Sequence, residues 1–272
     1  MRFVDPDVEQ FTETFKKIKS SINKKEINKA VPAVFSIAAG SMTKAMRAYF
    51  IRQTLMNANK QTAYGYLTPT EGVIGASPEI LFTYDIRSYE LVTMALAGTR
   101  NSKLEGEHSL SNDEKEMYEH GLVVSGLKKK LVNFGELQIS PTYVWDLGTI
   151  SHLRTDLLAE LDKPLEPISL FAEACSLLHP TAALGVSPIT SDWRYMKECD
   201  GQIKRARFGA PFGVVSPTGK SVALVAIRNL QWSEDGTISI GTGCGIVQDS
   251  NLQSEWQELT LKRDSIRKIL GL

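Results

Sequence analysis

Between Gln61 and Gly98 four strand-length apolar segments follow one another with no room for a helix between them: "QTAYGYL", "GVIGAS", "EILFTYD" and "YELVTMALAG". They are separated only by turn residues such as those of "TPTEG", and they read as successive strands. The same grouping recurs near the end, where "PFGVVSP", "SVALVAIRNLQW" and "TISIGTG" give three more strands, and "TYVWDLGTISHLRTDLLAEL" gives another two. Strands that come in blocks, rather than alternating strictly with helices, point to an α+β fold of layered sheets flanked by helices. They argue against a doubly wound parallel sheet.

Helical segments fill the gaps between blocks. Phe11, Phe15, Ile18 and Ile22 recur at helical spacing, so residues from about 6 to 24 form an amphipathic helix. "TKAMRAYFIRQTLMNA" reads as a helix after the short strand of "AVPAVFSIA". Asn112 is placed to cap a helix running from about Asp113 to Val132. "SLFAEACSLL" and "SDWRYMKEC" form a mainly helical patch, and a final helix closes the chain. No repeat, low-complexity tract or linker divides the sequence, so a single domain over residues 1–272 is expected.

Lys plus Arg and Asp plus Glu each total 31. A balanced chain sets up no global field for nucleic acid or an acidic membrane, so an anionic ligand must be met by local charges. Cys175, Cys199 and Cys244 are odd in number and form no CxxC pair, which favours reduced thiols over a disulfide or zinc framework. The start of the chain is too polar for a signal peptide, and no apolar run approaches the roughly 20 residues of a membrane span. A cytoplasmic protein is expected.

Two short stretches carry chemistry. "NDEKEMYEHGLVV" places Glu116 and Glu119 three apart on a helix, and "SEWQELTLK" repeats the arrangement with Glu255 and Glu258. Residues at i and i+3 share a helix face. Taken singly, each pair also fits a solvated face, but each is set among apolar residues near a helix start. If the two faces converge, four carboxylates meet, and like charges that close need a cation. Hard oxygen donors with room for water suit Mg²⁺. Lys262, one turn after Glu258, adds a positive charge to that face or serves as its surface partner. The preceding segment "GTGCGIV" spaces Gly241, Gly243 and Gly245 so that backbone N–H groups could face an anion. Arg228 stands in the middle of the strand expected from "SVALVAIRNLQW", where a charge needs a carboxylate partner.

"GASPEILF", "ALAGTR", "DEKEMYEHGLVV", "ISHL", "LLHPTAALG", "VAIRN" and "GTGCGIVQDSNLQSEWQELTLK" occur in the order of the chorismate-utilising enzymes, which the chain resembles from about Lys29 to Leu270. That family includes isochorismate synthase, salicylate synthase, anthranilate synthase component I and aminodeoxychorismate synthase component I. The resemblance implies the fold of anthranilate synthase component I, here without the longer N-terminal portion of relatives.

It also implies chorismate as small-molecule substrate and Mg²⁺ as cofactor. Glu119 and Glu258 match the direct metal ligands, and Glu116 and Glu255 the carboxylates that act through water. Gly98, Thr99 and Lys262 match the surroundings of the ring carboxylate. Arg228, with the N–H groups around Gly243 and Gly245, matches the site of the enolpyruvyl carboxylate. His152 matches a histidine beside the reacting ring, although a structural histidine fits it as well. Glu79 matches the acid that protonates the departing 4-hydroxyl.

Lys29 matches the lysine that activates water in the water-adding enzymes, where the ammonia-using anthranilate synthases resemble one another in carrying glutamine. Read bare, Lys29 is also a plausible exposed lysine, since it follows Lys24 and Lys25. "LLHPTAALG" resembles the isochorismate synthases, with Ala183 and Leu184 lining the ring pocket. Phe208 stands where salicylate-forming relatives tend to carry tyrosine. The resemblance therefore implies an isochorismate synthase. A glutaminase partner belongs only to the ammonia-using alternative, aminodeoxychorismate synthase component I, and a catalytically silent chorismate-binding module is the other alternative.

Overall fold

The structure, a computed structural model, describes residues 1–104, 109–188 and 205–272. The helix expected from "SDWRYMKEC" and the thiol of Cys199 lie outside the described residues. The chain forms two compact units. The first takes Met1–Pro78, Ala226–Leu272 and the described part of Ile189–Gly209; the second takes Glu79–Pro188 and Ala210–Val225. Both are assembled from segments far apart in sequence, which is why no linker is visible in it.

In the first unit, α1 (Val8–Asn23) and the short strand β1 (Lys29–Ala30) precede β2 (Ala33–Ala39), α2 (Lys44–Asn57), β3 (Thr62–Leu67) and β4 (Gly72–Ser77). The chain returns later as β13 (Asn229–Trp232), β14 (Thr237–Gly243) and α5 (Leu252–Leu270). The five longer strands form an antiparallel sheet in the order β2-β14-β13-β4-β3. All six residues of β4 are buried, so it is covered on both faces. Its alternation is lost for that reason. On one side Ile74, Leu230, Trp232, Ile238 and Ile240 meet Phe50 of α2 and Ile266 and Leu270 of α5 in one core. α1 lies along α5, with the rings of Phe11 and Trp256 5.5 Å apart.

In the second unit, β5 (Ile80–Asp85) and the long β6 (Glu90–Asn101) lead to α3 (Glu114–Leu131). β7 (Glu136–Ile139), β8 (Tyr143–Asp146) and β9 (Ile150–Glu160) follow, then α4 (Pro167–Leu178) and the short β10 (Val186–Ser187). β11 (Pro211–Val215) and β12 (Lys220–Val225) complete the unit. The antiparallel sheet runs β11-β12-β5-β6-β9-β7, with β8 also pairing with β9. α3 packs on β6 and β9, and α4 packs on β12, β11 and β5.

Several sequence expectations change. The single strand read through "SVALVAIRNLQW" is two, because β12 ends at Val225 in one unit and β13 begins at Asn229 in the other. The cap of α3 is Asp113, whose carboxylate accepts from the Glu116 N–H, while Asn112 ends a 3₁₀ turn. β7 was not expected, because Phe134 and Gly135 separate only a short, polar, half-exposed strand from the helix. Cys175 and Cys244 form no disulfide. Among the described residues, no helix is long and apolar enough to cross a membrane.

The first residues are tied down by charge. Val4 bridges to Ile37, and Asp5 accepts from Ser36 of β2 and from Arg267 of α5, the latter at 2.6 Å. Burial alone would push the Asp5 carboxyl up; hydrogen bonds from Arg267 and Ser36 and the charges of Arg263 and Arg267 outweigh it and hold it below the usual carboxylate range. A carboxyl lowered in the folded state stabilises at pH above its ordinary value, and that stability is lost as pH falls through the folded one. Asp5→Asn should therefore cost about 0.5–1 kcal/mol at neutral pH, a modest figure because solvent screens so exposed a pair. Urea unfolding of both proteins at pH 7 and near pH 3 checks this: the gap between them should narrow on acidification, and a pH-independent gap refutes the ion-pair account.

Candidate active site

The second unit gathers one group of the expected residues around a break in the pairing of β6 and β9. The register slips between Ala97 and Thr99, and Gly98 takes φ +78°, a region that disfavours any side chain. The slip turns the Thr99 N–H toward α3, where it donates to Oε2 of Glu116 at 3.1 Å. α3 begins at this point. Asp113 caps it and is paired with Arg100 of β6 at 2.7 Å. Glu116 and Glu119 are both buried on the sheet-facing side of the helix. Their carboxylates share one ammonium, that of Lys115, at 2.9 and 3.2 Å.

His152 of β9 stands opposite Thr99. Its Nδ1 lies 2.9 Å from the Gly98 carbonyl and 3.2 Å from the Thr99 hydroxyl. A carbonyl only accepts, so Nδ1 carries the proton and Nε2 is the ring nitrogen that can take another. Glu79 is buried at the head of β5, with its carbonyl bonded to the Val225 N–H. Leu184 is buried and Ala183 partly exposed, in a turn where the Ala183 N–H donates to Thr181 Oγ1. Lys130 of α3 ties the start of that turn by donating to the carbonyls of Leu178 and Pro180. Burial lowers the Lys130 ammonium pKa from its ordinary value.

The first unit gathers the other group on α5, the end of β14 and the turn before β13. Glu255 is fully buried. Glu258 meets Lys262 at 2.6 Å, and Lys262 also donates to the Gly243 carbonyl at 2.8 Å. Lys262 thus links helix to strand. The glycine-rich stretch is less of a loop than its sequence suggests: Gly241 and Gly243 belong to β14 and pair with Phe35 and Ala33. Gly241 serves packing, since a Cβ there would come within 2.6 Å of Phe35 and 2.7 Å of Phe208. Phe208 is buried edge-on against Phe35. After Gly243 the chain passes Gly245 and bonds back through Ile246, which exchanges both backbone hydrogen bonds with Ala30. Lys29, next to Ala30, is fully buried rather than exposed.

Arg228 is not within a strand. It takes φ +55°, a left-handed conformation costly for a side chain of this size. The surroundings hold it there. Tyr64 donates to the Ile227 carbonyl, and Asn229 donates to Tyr64 and to the Ala226 carbonyl. The Arg228 carbonyl accepts from the Ala76 N–H, and Gly75 leaves room for it, since a Cβ there would lie 2.5 Å away. The guanidinium, also buried, is fixed by the Ser265 hydroxyl at 2.9 Å. A strained, buried arginine held by its neighbours is an arrangement found at anion sites.

The profile of the family described as "Chorismate binding enzyme" matches residues 2–271. The chain belongs to this family. Among its relatives, isochorismate synthase MenF of Bacillus subtilis (strain 168) is 30% identical over 231 residues, 81% of this chain and 47% of that protein. The salicylate biosynthesis isochorismate synthase of Pseudomonas aeruginosa is 32% identical over 206 residues, 73% and 42% of the two chains. Anthranilate synthase component 1 of Aeropyrum pernix is 28% identical over 213 residues, 74% and 46%. The chain thus spans about half the length of the curated relatives it matches. Two solved structures share the fold. MenF, the menaquinone-specific isochorismate synthase of Escherichia coli, gives a TM-score of 0.78 at 24% identity, over 99% of this chain and 63% of that one. Anthranilate synthase component I of Streptococcus pneumoniae gives 0.79 at 20% identity, over 99% and 59%. The layered antiparallel architecture expected from the strand blocks is that of this family.

The acid pairs suit the metal the family resemblance implies. Glu116 and Glu119 are spaced to share one cation, as their common hold on the Lys115 ammonium shows, and their donors are hard oxygens. Among the described residues no three His, Cys, Asp or Glu side chains form a ready-made cage. Mg²⁺ characteristically needs none, since it uses one or two carboxylates and fills its other positions with water or substrate oxygens.

Sequence reasoning passed over Lys115, Ser265, Tyr64 and His120. Lys115 and His120 sit inside the quoted acidic motif, and helical spacing alone would have flagged Lys115 as the i,i+4 partner of Glu119. Tyr64 and Ser265 act on Arg228 from segments 164 and 37 residues distant, and nothing local marks them. Gly98→Ala should cost about 1–3 kcal/mol, since the new Cβ must adopt φ +78° and press within 3.2 Å of the Glu116 carboxylate. Chemical denaturation measures the cost, and a neutral result would show that the break at Gly98 is not set by its backbone.

Proposed function

We propose that this chain is an Mg²⁺-dependent isochorismate synthase, converting chorismate to isochorismate by adding water at C2 with loss of the 4-hydroxyl. The observation that carries the reading is Lys29, a lysine with no exposed surface. Lysines are almost never fully buried without a reason, because taking the ammonium out of water is expensive. Family resemblance puts this lysine at the position that selects water over ammonia. Relatives named as isochorismate synthases at 30% and 32% identity support the same branch.

In this reading Glu119 and Glu258 are the direct ligands of Mg²⁺, with Glu116 and Glu255 acting through water. Held by these residues, the ion would offset the charge of the ring carboxylate. Arg228, held by Ser265, meets the enolpyruvyl carboxylate, helped by N–H groups near Gly243 and Gly245. Gly98, Thr99 and Lys262 surround the ring carboxylate, and His152 stands beside the ring with Nδ1 committed to Gly98. Ala183, Leu184 and Phe208 form its apolar surroundings. Lys29 takes a proton from water as the oxygen bonds to C2; the double bonds shift, and Glu79 gives a proton to the 4-hydroxyl as it leaves as water. One water enters and one departs, so the reaction is an isomerisation. Orientation and paired acid–base assistance together carry it, the latter contributing about 10²–10⁴-fold for each positioned group.

Incubating the pure protein with chorismate and Mg²⁺, with and without ammonium, tests the reading by product mass. A product isobaric with chorismate is expected in both. An amino product appearing only with ammonium would place the chain among the enzymes that work with a glutaminase, and no product at all with chorismate still bound would make it a silent binder. Lys29→Gln should lower turnover by at least about 10²-fold with chorismate affinity retained, as calorimetry can show; wild-type turnover in that variant removes Lys29 from the mechanism.

A further inference from the structure

We infer that His120 is a positioning residue for the Glu116 and Glu119 carboxylates, acting through the hydroxyl of Thr155. The inference rests on the reading of these carboxylates as metal-directed. His120 follows Glu119 on α3 and is almost completely buried, where an imidazole is costly unless it is hydrogen-bonded. Its Nε2 shares a 2.8 Å hydrogen bond with Thr155 Oγ1 on β9. Thr155 is equally buried, and its hydroxyl shares a second 2.8 Å bond with Thr142 Oγ1, just ahead of β8. One hydroxyl is thereby held between two partners, which fixes its direction.

The consequence lies in helix geometry. Besides the Asp113–Arg100 pair at its cap, α3 meets the sheet through polar groups at two positions one turn apart. Glu116 takes the Thr99 N–H of β6, and His120 takes Thr155 of β9. Residues at i and i+4 lie on nearly the same helix face, so the two attachments act as a pair of pins on neighbouring strands. Losing one loosens the azimuth of this turn, because the Asp113–Arg100 pair and the Lys130 bonds hold the two ends of the helix and the apolar contacts of Val123, Leu127 and Leu131 are not directional. Glu119 lies between the two on the helix, so its azimuth is set together with theirs. A roll of about 20° moves a carboxylate roughly 6 Å from the axis by about 2 Å. That is enough to spoil a metal ligand, and groups that orient ligands from behind are typically worth about 10–100-fold in metal affinity.

Thr155→Val keeps the shape of the side chain and deletes only the hydroxyl; Thr155→Ser keeps the hydroxyl. Mn²⁺ binding to the full chain, followed by electron paramagnetic resonance with and without chorismate, gives the affinity without reference to turnover, and thermal melting reports folding. T155V is expected to fold and to bind Mn²⁺ about 10–100-fold more weakly, with T155S close to wild type. If T155V does not fold, His120→Gln, which retains a polar group at altered reach, should fold and show the loss in part. A folded T155V or H120Q with wild-type Mn²⁺ affinity overturns the role of His120 while leaving the metal reading intact. A wild-type chain that binds no Mn²⁺ even with chorismate overturns the metal reading and this inference together.

Discussion

The long antiparallel pairing of β6 with β9 is the constraint on which the second unit depends. It joins two halves of the sheet, carries α3 on its surface, and is interrupted once, at Gly98. An unbroken ladder would commit the groups that β6 and β9 turn toward each other and leave none of those for a side chain. The slip releases the Thr99 N–H to Glu116 and the Gly98 carbonyl to His152, so a single irregularity orients both a carboxylate and an imidazole. Bulges next to active sites commonly re-aim groups in this manner.

The first unit reaches a similar end by different means. Here the directing element is the tight passage through Ala226, Ile227 and Arg228, with hydrogen bonds from Tyr64, Asn229 and Ala76 closing on its carbonyls. The left-handed backbone at Arg228 is unfavourable in isolation, and the buried network around it supplies what holds it. The Tyr64 phenol is pushed far above its ordinary range by burial, against the opposing effect of the Asn229 hydrogen bond, so it stays protonated as a donor at any physiological pH. Arg205, bonded to the Val31 carbonyl, is brought down to about 10 by burial. Polar groups deep in this unit are therefore fixed by geometry rather than by exchange with water.

Much of this was legible in sequence, and the limits have physical causes. The strand blocks and the apolar spacing of α1 announce the fold because alternation and helical periodicity are local. The acidic stripes of α3 and α5 were visible for the same reason, and burial of all four carboxylates to a large degree agrees with a special environment. Arg228 was misread as a mid-strand residue because "SVALVAIRNLQW" is uniformly apolar, and periodicity cannot show where a chain leaves one sheet for another. The glycines of "GTGCGIV" were read as anion-facing, yet Gly241 is required by two phenyl rings that lie far off in the chain. Only tertiary packing distinguishes these two uses of the same residue.

The interleaved construction of the two units has a consequence for synthesis. β2 pairs with β14 along seven residues, joining Ala39 to Thr237 and Ala33 to Gly243, so the first sheet cannot close until the chain as far as Gly243 has left the ribosome. Segments made earliest, with their apolar faces, must wait for their partners. A nascent chain halted before α5 would expose Ile74, Phe50 and Trp232 together. Such a fragment is a natural client for chaperones, and truncation from the C-terminal side should be far less forgiving than the length removed would suggest.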